Sequence, residues 1–160
     1  LPPPFYYDKK NPGFKPGLER EIKVVQTFLP YPDFERSARC LDDRRLGKQR
    51  VEARQILNIL LGRAKGRGWI HHPAVKMWRG YENALKEYYN AILTEWIRRG
   101  FENNMEFEDV DGEVELPYWL GGGIHASHRS SLLRKDPVFY GRYDWKEEPS
   151  LPYVWPEGKT

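Results

Sequence analysis

The stretch Leu41–Leu61, LDDRRLGKQRVEARQILNILL, decides how the rest of the chain is read. Its pattern predicts one helix with two faces. Leu46, Ala53, Leu57 and Leu60 recur at helical spacing and mark a stripe turned to a core. Arg44, Lys48, Glu52 and Gln55 fall on a second face, with Arg45 and Gln49 beside them. That face is basic and amide-bearing, and one carboxylate sits in its middle. Asp42 or Asp43 can cap the start, where a side-chain oxygen meets unpaired N–H groups and its charge suits the helix dipole. Gly62 can close the end as the first residue past the cap. Taken alone, such a stripe is most often a solvated surface, with a Lys48–Glu52 pair adding about 0.3 kcal/mol.

The 160 residues suit a single domain with a sizeable core. Six Trp, ten Tyr and seven Phe are a heavy aromatic load, useful for packing and for stacking on bases. The net charge of +3 permits a polyanionic partner without demanding one. A single cysteine, Cys40, excludes an internal disulfide and a cysteine-based zinc site. No apolar run reaches membrane-spanning length and the amino end lacks a signal-peptide pattern, so a cytoplasmic monomer is expected, nucleoid-associated if it binds DNA.

Outward from the central helix, residues 1–23 are rich in Pro, Gly and Tyr and read as an N-terminal extension, with the domain proper over 24–160. Val24–Leu29 is a short apolar run, either a strand or a buried extended segment. Asp33 is expected to cap a short helix ending at Cys40. GRAKGRG (62–68) reads as a basic loop. Pro73 to Arg99 is predicted as one long helix with an apolar stripe through Val75, Trp78, Leu85, Tyr88 and Ile92. Phe101–Glu115 is acidic, a surface loop or a small hairpin. Ile124–Lys135 is predicted helical, stopped by Asp136-Pro137, and a Pro- and aromatic-rich tail is expected to wrap the surface. The fold class is therefore all-α, a single domain on three main helices with long loops and terminal extensions.

No phosphate-binding loop, dinucleotide fingerprint or nucleophile elbow is present. His71-His72 and His125/His128 lack a matching acidic cluster, which weakens a metal site and a metal-dependent nuclease. No metal and no cofactor is expected. His125, Ser127, His128, Arg129, Ser130, Arg134 and Lys135 form a donor-rich set suited to phosphates.

Three collinear segments resemble the phage pyrimidine-dimer DNA glycosylases, endonucleases that incise at UV photoproducts, and their bacterial relatives. LDDRRLGKQRVEA (41–53) is similar to the family's first long helix, MWRGYENALKEYYNAILTEWIRRGF (77–101) to its second, and HRSSLLRKDPVFY (128–140) to its last helix and the segment after it. VQTFLPYPDF (25–34) and SHRSSLLRKDP (127–137) also look like a bacterial branch of the same superfamily. The resemblance places the family's catalytic glutamate on Glu52 and its phosphate- and base-contacting residues on Arg44 and Arg45. It also implies a nucleophilic α-amine at the mature N-terminus, which forms an imine with C1′ and then cleaves the strand. The equivalent point falls near Val25 or Gln26, behind the extension, and a peptide nitrogen is not a nucleophile. Three routes stay open: the extension is processed, a lysine (Lys48 or Lys135) supplies the amine, or Glu52 activates water without strand cleavage.

The expected function is thus removal of a damaged or modified pyrimidine from duplex DNA by nucleotide extrusion, with AP-lyase activity as a possible companion. Glu52 and Lys48 are the candidate catalytic residues. Arg44, Arg45, Gln49, Arg50, His128, Arg129, Arg134 and Lys135 are candidate DNA contacts. Trp69, His72 and Trp119 are candidates for a base pocket or wedge. The competing reading is a nucleic-acid-binding module that kept the fold and lost the chemistry.

Overall fold

Local sequence rules set the helices. The structure, a computed structural model, describes residues 25–64 and 70–160. The extension 1–23 and Trp69 lie outside the described residues. Asp33 accepts from the Arg36 N–H at 2.9 Å and opens α1 (Phe34–Cys40). Two residues later Asp42 accepts from the Arg45 N–H and opens α2 (Asp43–Leu60), which ends as Gly62 takes the left-handed φ of 72°. Pro73 starts α3 (Pro73–Lys76); then follow α4 (Glu82–Arg98), α5 (Ile124–Lys135), α6 (Pro137–Tyr140) and a 3₁₀ turn over Gly141–Tyr143. Among the described residues there is no strand, so the fold is all-α.

The expected single helix from Pro73 to Arg99 is two. Gly80 turns with φ 87°, a conformation that costs a side chain dearly, and its N–H is taken by the Glu82 carboxylate at 3.0 Å. The chain therefore changes direction between α3 and α4. Periodicity could not reveal this, because Trp78, Tyr81 and Leu85 keep an apolar spacing across the break.

α2 lies along α4, and their facing residues make the core: Leu46, Ala53, Ile56 and Leu57 against Ala84, Leu85, Tyr88, Ile92 and Leu93. A glycine permits the approach. A Cβ on Gly47 would stand 3.1 Å from the Trp96 ring. The buried Glu95 carboxylate receives Arg98 and Arg99, and Arg99 also reaches Asp43, which ties the end of α4 to the start of α2. Burial pushes the Cys40 thiol up to about 12, so it is an inert core residue.

Two extended segments cross this helical frame without forming a sheet. Residues 101–115 run along α4, whose side chains satisfy their backbone. Asn90 both donates to the Glu108 carbonyl and accepts from its N–H at 2.9 Å, while Asn83 donates to the carbonyls of Asp111 and Glu113. The loop reading of this segment holds and no hairpin forms. The second segment, Val25–Pro30, is buried and passes between α2, α4 and α5.

The tail from Asp144 to Thr160 straps the molecule. Arg129 pairs with Glu147 through two nitrogens at 2.9 and 2.7 Å, Ser127 and Ser130 accept from the N–H groups of Val154 and Leu151, and Arg134 donates to the Pro149 carbonyl. The strap ends with Gly158 and Lys159 donating to the carbonyls of Lys76 and Arg79 at 2.9 and 2.8 Å. A Cβ on Gly158 would overlap the Lys76 carbonyl and stand 2.6 Å from that of Arg79. Gly158→Ala is therefore expected to lower Tm by roughly 3–10 °C, the range that follows from about 1–3 kcal/mol of overpacking. Early proteolytic nicking in the last residues should accompany it. An unchanged melting curve would show that this backbone cradle does not hold the strap.

Candidate functional site

Glu52 lies at mid-length on α2, half-buried, on the side that meets the extended segment. Its Oε2 accepts the backbone N–H of Gln26 at 3.1 Å. One turn earlier, Gln49 is fully buried and grips the same segment at both ends. Its Nε2 donates to the Gln26 carbonyl at 2.8 Å and its Oε1 accepts from the Phe28 N–H at 3.2 Å. The Tyr88 hydroxyl, from α4, lies 2.5 Å from Gln49 Oε1 and 2.9 Å from the Phe28 carbonyl. Trp78 donates its indole N–H to the Thr27 hydroxyl at 3.1 Å, and Tyr153 of the strap donates to the Thr27 carbonyl at 3.0 Å.

The histidines finish the clamp. His128 Nδ1 accepts from the Leu29 N–H at 2.8 Å, so its proton sits on Nε2, which finds no hydrogen-bond partner among the described residues. His125 takes the other tautomer: its Nδ1 lies 2.7 Å from the Leu29 carbonyl and its Nε2 accepts from the Gly121 N–H at 2.8 Å. Arg129 then donates to the Pro30 carbonyl at 2.8 Å. Burial, with His125 as neighbour, pushes His128 down to about 3, and burial lowers His125 as well. Both rings are neutral. They hold backbone, and no cluster of three or more metal-ligating side chains occurs among the described residues.

Around Glu52 the charge is positive. Arg45 lies two turns before it on α2 and pairs with Asp42 at 3.2 Å. Burial pushes the Asp42 carboxyl up, but hydrogen bonds from Tyr140 and Arg45 more than reverse this and hold it ionised. Arg44 is exposed beside it, and Lys48 is half-buried one turn before Glu52. Lys135, at the end of α5, lies within electrostatic reach of Arg45 and Glu52. Desolvation lowers its ammonium below the usual lysine range, Arg45 and Arg134 push the same way, and Glu52 opposes them. Arg45, Glu52 and Lys135 thus act on one another from α2 and α5, with Lys48 one turn before Glu52 on the same helix.

Other sequence candidates lie elsewhere. Arg50 points away from Glu52, its guanidinium 4.0 Å above the Trp96 ring. Gln49 and His128 are fully buried and offer no surface to a phosphate. Arg129 and Arg134 are occupied by the strap and by Pro30. Trp119 is 6% exposed, packs edge-on against Trp78 at 5.0 Å and donates to the Met77 carbonyl. His72 is buried, caps α3 by accepting the Ala74 N–H at 3.1 Å, and lies edge-on to Trp155 of the strap. Tyr88 and Tyr153 are contributors that the sequence reading missed. Tyr88 lay in an apolar stripe, and a hydroxyl at such a position gives no separate pattern. Tyr153 stands in a tail with no periodicity.

No helix among the described residues is long and apolar enough to cross a membrane. No curated protein and no solved structure matches the chain. A family model described as pyrimidine dimer DNA glycosylase matches residues 25–109, more than half the chain. The match takes in the extended segment, Gln49, Glu52 and Tyr88, the same residues that assemble around the central carboxylate. On that match the chain belongs to the pyrimidine dimer DNA glycosylase family, a family of DNA glycosylases.

Proposed function

We propose that the chain removes a damaged or modified pyrimidine from duplex DNA, with Glu52 as the reacting carboxylate and water as the nucleophile. The observation that carries this reading is the Gln26 N–H on Glu52 at 3.1 Å. With the chain intact that nitrogen belongs to a peptide bond, its lone pair is delocalised into the carbonyl, and it cannot attack a sugar. It serves instead to orient the carboxylate.

As the C1′–N bond breaks, its electron pair leaves with the base and positive charge grows on the sugar. A carboxylate beside C1′ stabilises that charge. Water then adds its oxygen to C1′ and passes a proton to Glu52. Arg44, Arg45, Lys48 and Lys135 supply positive charge for the phosphates on either side of the extruded nucleotide. No metal enters these steps.

A duplex with one cyclobutane thymine dimer, incubated with and without borohydride, tests the reading. Cleavage of one C1′–N bond that leaves an uncut strand with an abasic sugar and no trapped adduct is expected. It is read as free thymine once the dimer is photoreversed, since the cyclobutane ring otherwise keeps the cleaved base tethered to its neighbour. A trapped protein–DNA adduct would replace water by an amine. Peptide mapping would assign it to Lys48, Lys135 or a chain newly begun at Gln26, where an α-amine would be born against Glu52. Binding without glycosidic cleavage would instead favour a nucleic-acid-binding module.

A further inference from the structure

The strongest unassigned feature is the manner in which a carboxylate on a helix is matched to a nitrogen on an extended segment. Gln26 meets Glu52 and Phe28 meets Gln49, so the segment runs antiparallel to α2. Two extended residues advance about 6.6 Å while three helical residues advance about 4.5 Å, so the two elements do not stay in register by themselves. Something must fix the offset. We propose that Gln49 is a positioning residue for the reaction at Glu52. Its two-ended grip on the Gln26 carbonyl and the Phe28 N–H, braced by Tyr88, sets the Gln26 nitrogen against the carboxylate.

A purely space-filling role does not need an amide there. Gln49 is 0% exposed, and a leucine or methionine would fill the volume without burying four hydrogen-bonding sites. Its donor and its acceptor are both spent on one tripeptide, Gln26–Phe28, and on nothing else among the described residues except the Tyr88 hydroxyl. The next anchors, Trp78 and Tyr153 on Thr27 and His128 on Leu29, hold the segment from further along. Gln49 is the member of the set on the same helix as Glu52, one turn away, and therefore the one that transmits the helix's own geometry to Gln26.

The test compares wild type, Gln49→Met and Tyr88→Phe, with Glu52→Gln as reference. An amide N–H bonded to a carboxylate changes its chemical shift as the carboxylate titrates. The Gln26 amide proton is expected to titrate in the wild type, to lose that titration in Glu52→Gln, and to lose most of it in Gln49→Met. Tyr88→Phe should fall between, and it decides the matter if Gln49→Met fails to fold. An undiminished titration in the folded variants overturns the proposal.

The kinetic arm rests on the reading of Glu52 as the reacting carboxylate. On a duplex with a single thymine dimer, the single-turnover excision rate of Gln49→Met should fall about 10- to 100-fold, the order expected when a reacting group moves by about 1 Å. Duplex affinity should stay within about threefold. A residue that only supports the fold would lower the folded fraction and leave the rate constant of the folded molecules alone. If Glu52→Gln still excises, the reading of Glu52 fails and the titration alone judges Gln49. If Glu52→Gln is inactive while Gln49→Met keeps the wild-type rate, the positioning role alone fails.

Discussion

Glu52→Gln is expected to slow base release by about a thousandfold, within the range measured when a general base or an electrostatic stabiliser of developing charge is removed. The change is chemically narrow. A glutamine oxygen still accepts the Gln26 N–H, so the contact that Glu52 Oε2 makes at 3.1 Å survives and the segment keeps its place. What disappears is the negative charge and the ability to take a proton. Affinity for a dimer-bearing duplex should stay within about threefold, since Arg44, Arg45, Lys48 and Lys135 are untouched; a small gain is the expected sign, because a charge that repels phosphates is gone. Single-turnover excision and fluorescence anisotropy on the same duplex read the two quantities. An unchanged excision rate with intact binding would remove Glu52 from the chemistry.

Acidification should destabilise the protein already between pH 7 and pH 5, above the range in which its carboxylates titrate. His72, His125 and His128 are all held below the usual histidine range, each chiefly by burial, and His128 falls to about 3. An unfolded chain takes up these protons near pH 6.5. Between about 3 and about 6.5 the unfolded state therefore binds more protons than the folded one, and stability rises with pH across that window. The contribution is fully present above pH 6.5 and is lost as pH falls. For His128 alone, going from pH 7 to pH 5 costs about 2 kcal/mol, with smaller losses from the other two rings. Urea titrations at the two pH values should show the fall in midpoint. His128→Asn can still accept from Leu29; it should be less stable at pH 7 yet lose less on acidification. A midpoint that does not move between pH 7 and pH 5 would mean that the rings are not held neutral.

Much of the fold was legible because it rests on local rules. Asp33, Asp42 and Gly62 sit where capping chemistry needs them, and Asp136-Pro137 stops α5 as expected. Gly80 was hidden because an apolar stripe continues across it. The site was legible only where a helix displays it. Glu52, Arg44, Arg45 and Lys48 share one face of α2. The polar residues of α5 read as a phosphate surface because His, Ser and Arg are donors in either role. What the sequence could not say is that the Leu29–Pro30 backbone and the strap claim those donors first. That outcome depends on contacts between residues about a hundred positions apart for Leu29–Pro30 and some 15 to 27 apart for the strap, and no spacing pattern encodes either.

The segment Gln26–Pro30 has a consequence for how this protein tolerates change. Glu52, Gln49, Tyr88, Tyr153, His128, His125 and Arg129 bind its amides and carbonyls, and amides and carbonyls are common to nearly every amino acid. Those anchors count residues and are largely blind to their identity. Gln26 and Phe28 turn their N–H and C=O groups to α2 and α4, while Thr27 turns its C=O to the strap and Leu29 turns both groups to α5. A single inserted or deleted residue would therefore turn each later pair away from its anchor. The backbone anchors thus fix the length of these five positions, while the identities of Thr27, Phe28 and Leu29 are set separately by burial and by the Trp78 bond to the Thr27 hydroxyl.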